Sequence, residues 1–363
     1  MTSPMRWLAP VALLLACGND HGAPKPDSNG AVDWSQPQTY AFGPYMLQPE
    51  QEITTDCVQI TLQNDSDIYI NEVDFDAMGP GFHHSNWFWV PESTFPGPNW
   101  NGTNSAQDDG TFNCNDRHFD QGVAGLFGGV LFAQSTQAQQ ESQQFPPGYA
   151  VKIPARSKLV STIHLLNPGD NAITVTPSIT LKPIPQSQLV KQLAGISFEN
   201  HALALPPNMQ SSFTVTCDML GADQTPPQDW PTPTFKVYYA LAHYHALGTG
   251  LTIEAIKPDT TSTTVYSTVN GIGDSLGAPI APPFDFTGYT KLRVTCDYYN
   301  STASTVVWGN GSEEMCVFLA FSDSGYNFAG GVPIDTNAGT GTLVDNVMTF
   351  THNCDTLVAN PVN

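Results

Sequence analysis

Six side chains in this sequence have types and spacings suited to holding metal. His243 and His245 stand two apart in Val237–Gly250, a run of β-branched, aromatic and small residues closed by glycines, which reads as a β-strand. Successive strand side chains point to opposite faces, so these two imidazoles project together, as two ligands of one ion must. His83 and His84 are adjacent and follow Gly79-Pro80-Gly81. Neighbours on a strand face opposite ways, so this pair can share an ion only at a strand end or bulge, which the glycines favour. His164 sits among Ile and Leu in the strand-like run Lys158–Pro168 and is the third partner that His83 and His84 need. Met315 follows a glycine-rich turn in Glu313-Glu314-Met315-Cys316. Three imidazoles suit copper or zinc, whereas two imidazoles with a thioether select Cu(I). Taken singly, each signal has an ordinary reading: a half-buried histidine pair, a satisfied core histidine, a methionine filling a core gap. The ordered set carries the metal reading. His201 and His352 have no partner at metal spacing, His118 reads as structural or solvated, and His21 as solvated.

The elements that must position these groups are strands. The 363 residues suffice for two domains of ordinary size. Short β-branched runs alternate with Gly, Pro and Asn turns, and 3.6-residue periodicity is nearly absent, which predicts an all-β chain of antiparallel sandwich or barrel type. With 12 Lys+Arg against 33 Asp+Glu, the net charge of −21 argues against nucleic acid and anionic membrane surfaces as partners.

The N-terminus reads as an export signal. Arg6 precedes a short apolar core, Trp7–Ala16, too short to span a membrane, and the segment ends Leu14-Leu15-Ala16-Cys17-Gly18. That ending resembles a bacterial lipoprotein signal over residues 1–17, which implies lipidation of Cys17 and anchoring to a bacterial membrane on its periplasmic or cell-surface side. Residues 18–36, rich in Gly, Asn, Asp, Pro and Ser, form an expected tether. Six cysteines remain, Cys57, Cys114, Cys217, Cys296, Cys316 and Cys354. An even number in an oxidising compartment predicts three disulfides and leaves their pairing open.

The first block spans about 37–192, with alternating runs at Val58–Leu62 and Ile68–Val73. Pro91–Arg117 reads as a surface excursion held by Cys114, and the Gln/Ser-rich Gln134–Gln144 as a surface loop. Pro183-Ile184-Pro185-Gln186 begins the junction. The second block, 193–363, carries the His243/His245 strand, a Pro-rich loop at Thr225–Pro233, and strands at Ser212–Cys217 and Lys291–Tyr299.

The His-His pair, the later single His, the His-x-His pair and the Glu-Met-Cys element, in that order over roughly Pro37–Cys354, resemble the copper type II, ascorbate-dependent monooxygenases. That family includes peptidylglycine α-hydroxylating monooxygenase and dopamine β-monooxygenase. The resemblance implies two tandem antiparallel β-sandwich, jelly-roll-like domains, each holding one copper across a solvent-filled cleft. It implies that His83, His84 and His164 bind an electron-transfer copper, and that His243, His245 and Met315 bind the copper at which dioxygen is activated. An ascorbate-like reductant would supply one electron per copper, and a substrate C–H bond would be hydroxylated. It also implies the disulfides Cys57–Cys114, Cys217–Cys354 and Cys296–Cys316. The chain departs from the peptide-amidating branch, which has arginine where Leu241 stands and asparagine and tyrosine where Val317 and Leu319 stand. A carboxylate in that apolar setting would be desolvated and unpaired, which speaks against a peptidylglycine substrate. Two other classes share parts of this pattern. A copper-binding surface lipoprotein that buffers or delivers copper would carry the same ligands without turnover. An anchored adhesion or glycan-binding sandwich would bind no copper.

Overall fold

In the computed structural model, residues 32–92, 109–117, 119–221, 232–333 and 336–361 are described. The signal, most of the tether, His118 and most of the Pro-rich loop lie outside them. The described chain is almost entirely strand, as the alternation predicts. Its α-helix is the seven-residue Gln121–Phe127, started by Asp120, whose carboxylate accepts the Val123 N–H at 2.8 Å. Among the described residues no helix is long and apolar enough to cross a membrane.

The first block is a sandwich. One sheet orders the strands Gly110–Asn113, Glu52–Thr61, Ser157–Leu166, Phe82–Pro91 and Gly129–Ala133, all antiparallel. The opposing layer pairs Gln38–Ala41, Ser178–Ile184, Ile68–Asp76 and Tyr149–Ile153. In the second block Lys191–Asn200, Val317–Ser322, Lys236–His243 and Gly277–Asp285 form one layer. Met209–Asp218, Lys291–Asn300, Gly248–Ile256 and Ser262–Thr268 form the other. The 15-residue strand Val347–Pro361 belongs to both layers. Not every pairing is antiparallel: Met209–Asp218 with Val347–Pro361, and Lys191–Asn200 with both Tyr149–Ile153 and Tyr326–Val332, run parallel.

The parallel Lys191–Tyr149 pairing carries the sheet from one block into the next, so the expected boundary at 192/193 falls inside a strand. The cores overlap in the same way. Leu193, Tyr238, Tyr239, Leu241, Leu319 and Phe321 of the second block pack into the first block's core. Strands with one wet face show the strict alternation of Lys291–Asn300, whereas Phe82–Pro91, Ser157–Leu166 and Lys236–His243 are buried on both faces. These three carry His83, His84, His164 and His243.

The three disulfides are Cys57–Cys114, Cys217–Cys354 and Cys296–Cys316, the pairing that the resemblance implies. Cys217 and Cys354 face each other in register on neighbouring strands. Three such bonds suit an oxidising, extracytoplasmic environment.

The Gln134–Gln144 segment is not the surface loop its polarity suggests. Gln134, Ser135, Thr136 and Gln143 are fully buried, and Gln140–Gln144 is a strand. Most of these polar groups find partners inside the fold, the Gln143 side-chain oxygen being an exception. Gln134 donates to the Ala138 carbonyl and accepts from Ser85, and Gln143 donates to the Leu131 carbonyl. Ser135 donates its N–H and hydroxyl to Glu141, both at 2.6 Å.

Candidate metal centre

His83 and His84 sit near the start of Phe82–Pro91, and the ladder there is irregular. His164 pairs with His84 while the next residue, Leu165, pairs with Phe82, so His83 is the extra residue of a bulge. The bulge lets both adjacent imidazoles turn toward His164. The ring centres lie 5.2 Å apart for His83–His84, 4.4 Å for His83–His164 and 5.0 Å for His84–His164.

His243 is the last residue of its strand, and His245 lies just beyond the strand end rather than within it. Their ring centres are 5.4 Å apart. The strand's alternation aims His243 at the first block. Tyr239 and Leu241 pack into the first block's core, and Ala240, Ala242 and Tyr244 into the second's. His243 continues the first series, and its ring centre lies 4.6 Å from that of His84. His245 lies 5.3 Å from His83 and 6.0 Å from His84. The two ligand sets expected on opposite sides of a solvent-filled cleft therefore form one cluster of five buried imidazoles. One three-histidine grouping crosses the sets: one ring nitrogen each of His83, His84 and His245 lie within 4.8 Å of one another. Met315 joins His84, His164 and His243 in lining a cavity of about 680 Å³ between the blocks.

The hydrogen bonds of the cluster leave bare nitrogens facing inward. His164 donates through Nε2 to Glu52 Oε1 at 2.7 Å, which leaves Nδ1 bare. His245 donates through Nδ1 to the Glu313 carbonyl at 2.8 Å, which leaves Nε2 bare. The Thr136 hydroxyl donates to the Tyr244 carbonyl at 2.8 Å, so its oxygen, 3.3 Å from His243 Nδ1, accepts from that ring and leaves Nε2 bare. His83 Nε2 and His84 Nδ1 are likewise buried without a partner, and the Gln137 amide lies 3.3 Å from His83 Nδ1. Burial drives His83 down to about 3, with His164 and His245 adding repulsion, and holds His84 and His243 well below the usual imidazole range. Burial also lowers His164, against the pull of Glu52, and His245, against its bond to Glu313. Five neutral imidazoles thus present five unpaired nitrogens to one another. Each such orphan costs on the order of 1–3 kcal/mol unless a partner is supplied. A cation of borderline or soft character supplies it to all five, so the residues fit a metal of the copper or zinc type.

Glu314 fixes the second set. It is 1% exposed, and its carboxylate accepts the N–H groups of His245 at 2.8 Å, Leu247 at 2.7 Å and Met315 at 3.3 Å. One side chain therefore clamps both the His245 turn and the Met315 segment. Burial pushes Glu314 up to about 7 while these three donors pull it back. Cys316 ties the same segment to Cys296, and the Tyr298 hydroxyl donates to the Met315 carbonyl at 2.6 Å. Glu52, Thr136, Gln137 and Glu314 were not singled out from sequence as orienting residues. Glu314, inside the Glu-Glu-Met-Cys element, had a local signal; the other three are remote from their partners in the chain. Of the histidines left aside, His201 stacks on Trp308 with ring centres 4.2 Å apart, donates to Glu199 and lines the cavity.

No protein-family model matches the chain, and no curated protein matches it. Solved structures resemble it only loosely. An archaeal-virus protein described by its triple jelly-roll fold and turret assembly aligns over 77% of this chain and 59% of its own, with 10% identity and a TM-score of 0.22. The PBSX exported protein XepA aligns over 80% and 88%, with 8% identity and a TM-score of 0.21. PNGF-II aligns over 78% and 58%, with 7% identity and a TM-score of 0.27. The chain thus spans about three fifths of the first of these, and likenesses this distant carry no argument about function.

Proposed function

We propose that this protein is a copper-dependent monooxygenase that hydroxylates a C–H bond with dioxygen and an ascorbate-like reductant, anchored by a lipidated Cys17 to a bacterial membrane. The observation that carries the reading is the set of five neutral imidazoles, each with a bare buried nitrogen, beside a cavity that also holds Met315. His83, His84 and His164 would hold one copper, and His243, His245 and Met315 the other. Bound copper supplies the one-electron chemistry by which dioxygen is activated. The chain's own residues do the positioning. Glu52, Thr136 and the Glu313 carbonyl fix ring tautomers, as orienting partners of metal ligands do. Glu314 holds His245 and Met315 together. Peptidylglycine is a poor substrate for a site with Leu241, Val317 and Leu319 in its wall.

The test is copper content after reconstitution, combined with reductant-dependent oxygen uptake and electron paramagnetic resonance. Two coppers per chain are expected. Ions held by rings 4.6–6.0 Å apart across the two sets should couple magnetically, so the resonance intensity should fall short of the copper content. Copper without coupled turnover on any donor or substrate would favour the copper-handling reading, and bound zinc that copper cannot displace would overturn both. Cys17→Ala in a bacterial host should release the protein from the membrane fraction; retention would place the anchor elsewhere.

A further inference from the structure

Resting on that reading, we infer that the cavity beside the cluster takes a compact neutral molecule, mostly hydrocarbon and carrying a hydroxyl or carbonyl group. Its volume of about 680 Å³ lies in the range of sites that enclose small organic ligands. Much of the wall is apolar and comes from both blocks: Phe88, Phe119 and Val130 from the first, Leu241, Val317 and Leu319 from the second. Among the described residues that line it there is no lysine or arginine, so a carboxylate or phosphate would enter without a counter-charge and be desolvated unpaired.

Both carboxylates of the lining already have partners in the fold. Asp120 spends its carboxylate on the helix N-terminus, and Glu199 accepts from His201 at 2.6 Å. Neutral polar side chains also line it, Thr54, Thr162, Ser197 and Asn310 among them, and one pair is linked. The Asn86 side-chain N–H donates to Gln121 Oε1 at 2.9 Å, which leaves the Asn86 carbonyl and the Gln121 amide N–H for one ligand hydroxyl or carbonyl. The approach is apolar as well: Leu357 and Val123, 55% and 40% exposed, both belong to the lining.

Calorimetric titration of the full chain, metal-free and copper(I)-loaded, with 2-naphthaleneethanol, 2-naphthaleneacetate and 2-naphthylethylamine decides the matter, since the three share a skeleton and differ in charge. The alcohol should bind tightest, and the carboxylate at least tenfold more weakly. Leu357→Lys places a cation at the exposed mouth without touching the core, and should narrow the alcohol-to-carboxylate ratio several-fold. Tightest binding by the carboxylate or by the amine, no saturable binding of the alcohol, or a ratio unmoved by Leu357→Lys would each overturn the inference. The metal-free arm reads the cavity whether or not copper binds, so failure here is distinct from failure of the copper reading.

Discussion

The Cys296–Cys316 bond closes the chain segment that carries Trp308, Glu314 and Met315, and its removal should be felt both in stability and at the metal centre. The two cysteines are 20 residues apart. A loop of that length restricts the unfolded chain by about 3 kcal/mol on the chain-entropy argument, and the 137-residue loop of Cys217–Cys354 by about 5 kcal/mol. Both residues of the shorter loop are buried, and the Cys316 carbonyl accepts the Asn200 N–H at 2.9 Å, so the strand context survives replacement of the sulfurs. Cys296→Ala/Cys316→Ala should therefore lower the midpoint of thermal unfolding by about 4 °C if the chain unfolds as one unit. Because Tyr239, Leu241, Leu319 and Phe321 lie in the first block's core and the sheet crosses the junction, the loss should appear as one shifted transition. The assay is calorimetry with copper titration on the same samples. Weaker binding of the second copper is expected, since Met315 adjoins the lost bond. An unchanged midpoint, or a split into two transitions with the first block unaffected, would refute the reasoning.

Met315→Ile removes the soft ligand and keeps similar bulk; the variant should stay folded, retain copper on its histidines and lose reductant-dependent oxygen uptake, while His164→Ala should impair electron supply and spare copper at His243 and His245. Glu52→Ala removes the acceptor of His164 Nε2–H, and copper affinity measured by chelator competition should fall roughly 10- to 100-fold, as when other such orienting partners are lost; unchanged affinity would show that Glu52 plays no orienting part. Glu141 is held above the usual carboxylate range by burial, against hydrogen bonds from Ser135 and Ser275. A raised folded-state value means its contribution is full below the unfolded carboxylate range and is lost as pH rises through the folded-state value. The stability of the wild type relative to Glu141→Gln should thus fall as pH rises above about 4.3, the ordinary glutamate value, and a difference independent of pH would contradict the assignment.

Much of this was legible in the sequence because its signals are local. Alternation and turn residues give strands wherever one face is wet, as at Lys291–Asn300. The Gly-Pro-Gly before His83 announced the irregularity that appears as a bulge. The failures have physical causes. A seven-residue helix is too short to show a period. Gln134–Gln144 looks solvated because composition reports polarity and cannot report that the Gln134 and Gln143 amide N–H groups and the Ser135 hydroxyl find buried acceptors. The continuity of the two blocks was hidden for a related reason. A strand buried on both faces, such as Lys236–His243, has no polar side to say which neighbour each face meets.

That last point explains why the histidines converge. A strand packed between two cores must send alternate side chains into each, and here Ala240, Ala242 and Tyr244 serve one core while Tyr239 and Leu241 serve the other. A histidine placed next in the second series has no choice but to face the first block. The bulge at His83 turns His83 and His84 toward His164 on that block's side. Glu314 then draws the turn after His243 inward through the backbone of His245 and Leu247. Three independent local features thus aim five imidazoles into one space. Each imidazole gives up water there and is left with an unpartnered nitrogen. A fold stabilised by packing alone would fill that space with apolar groups, since unpaired buried polar atoms cost free energy that apolar ones do not. On the copper reading proposed above, bound metal would supply the missing partners, and the apolar cavity that shares the wall of the cluster would be its substrate side.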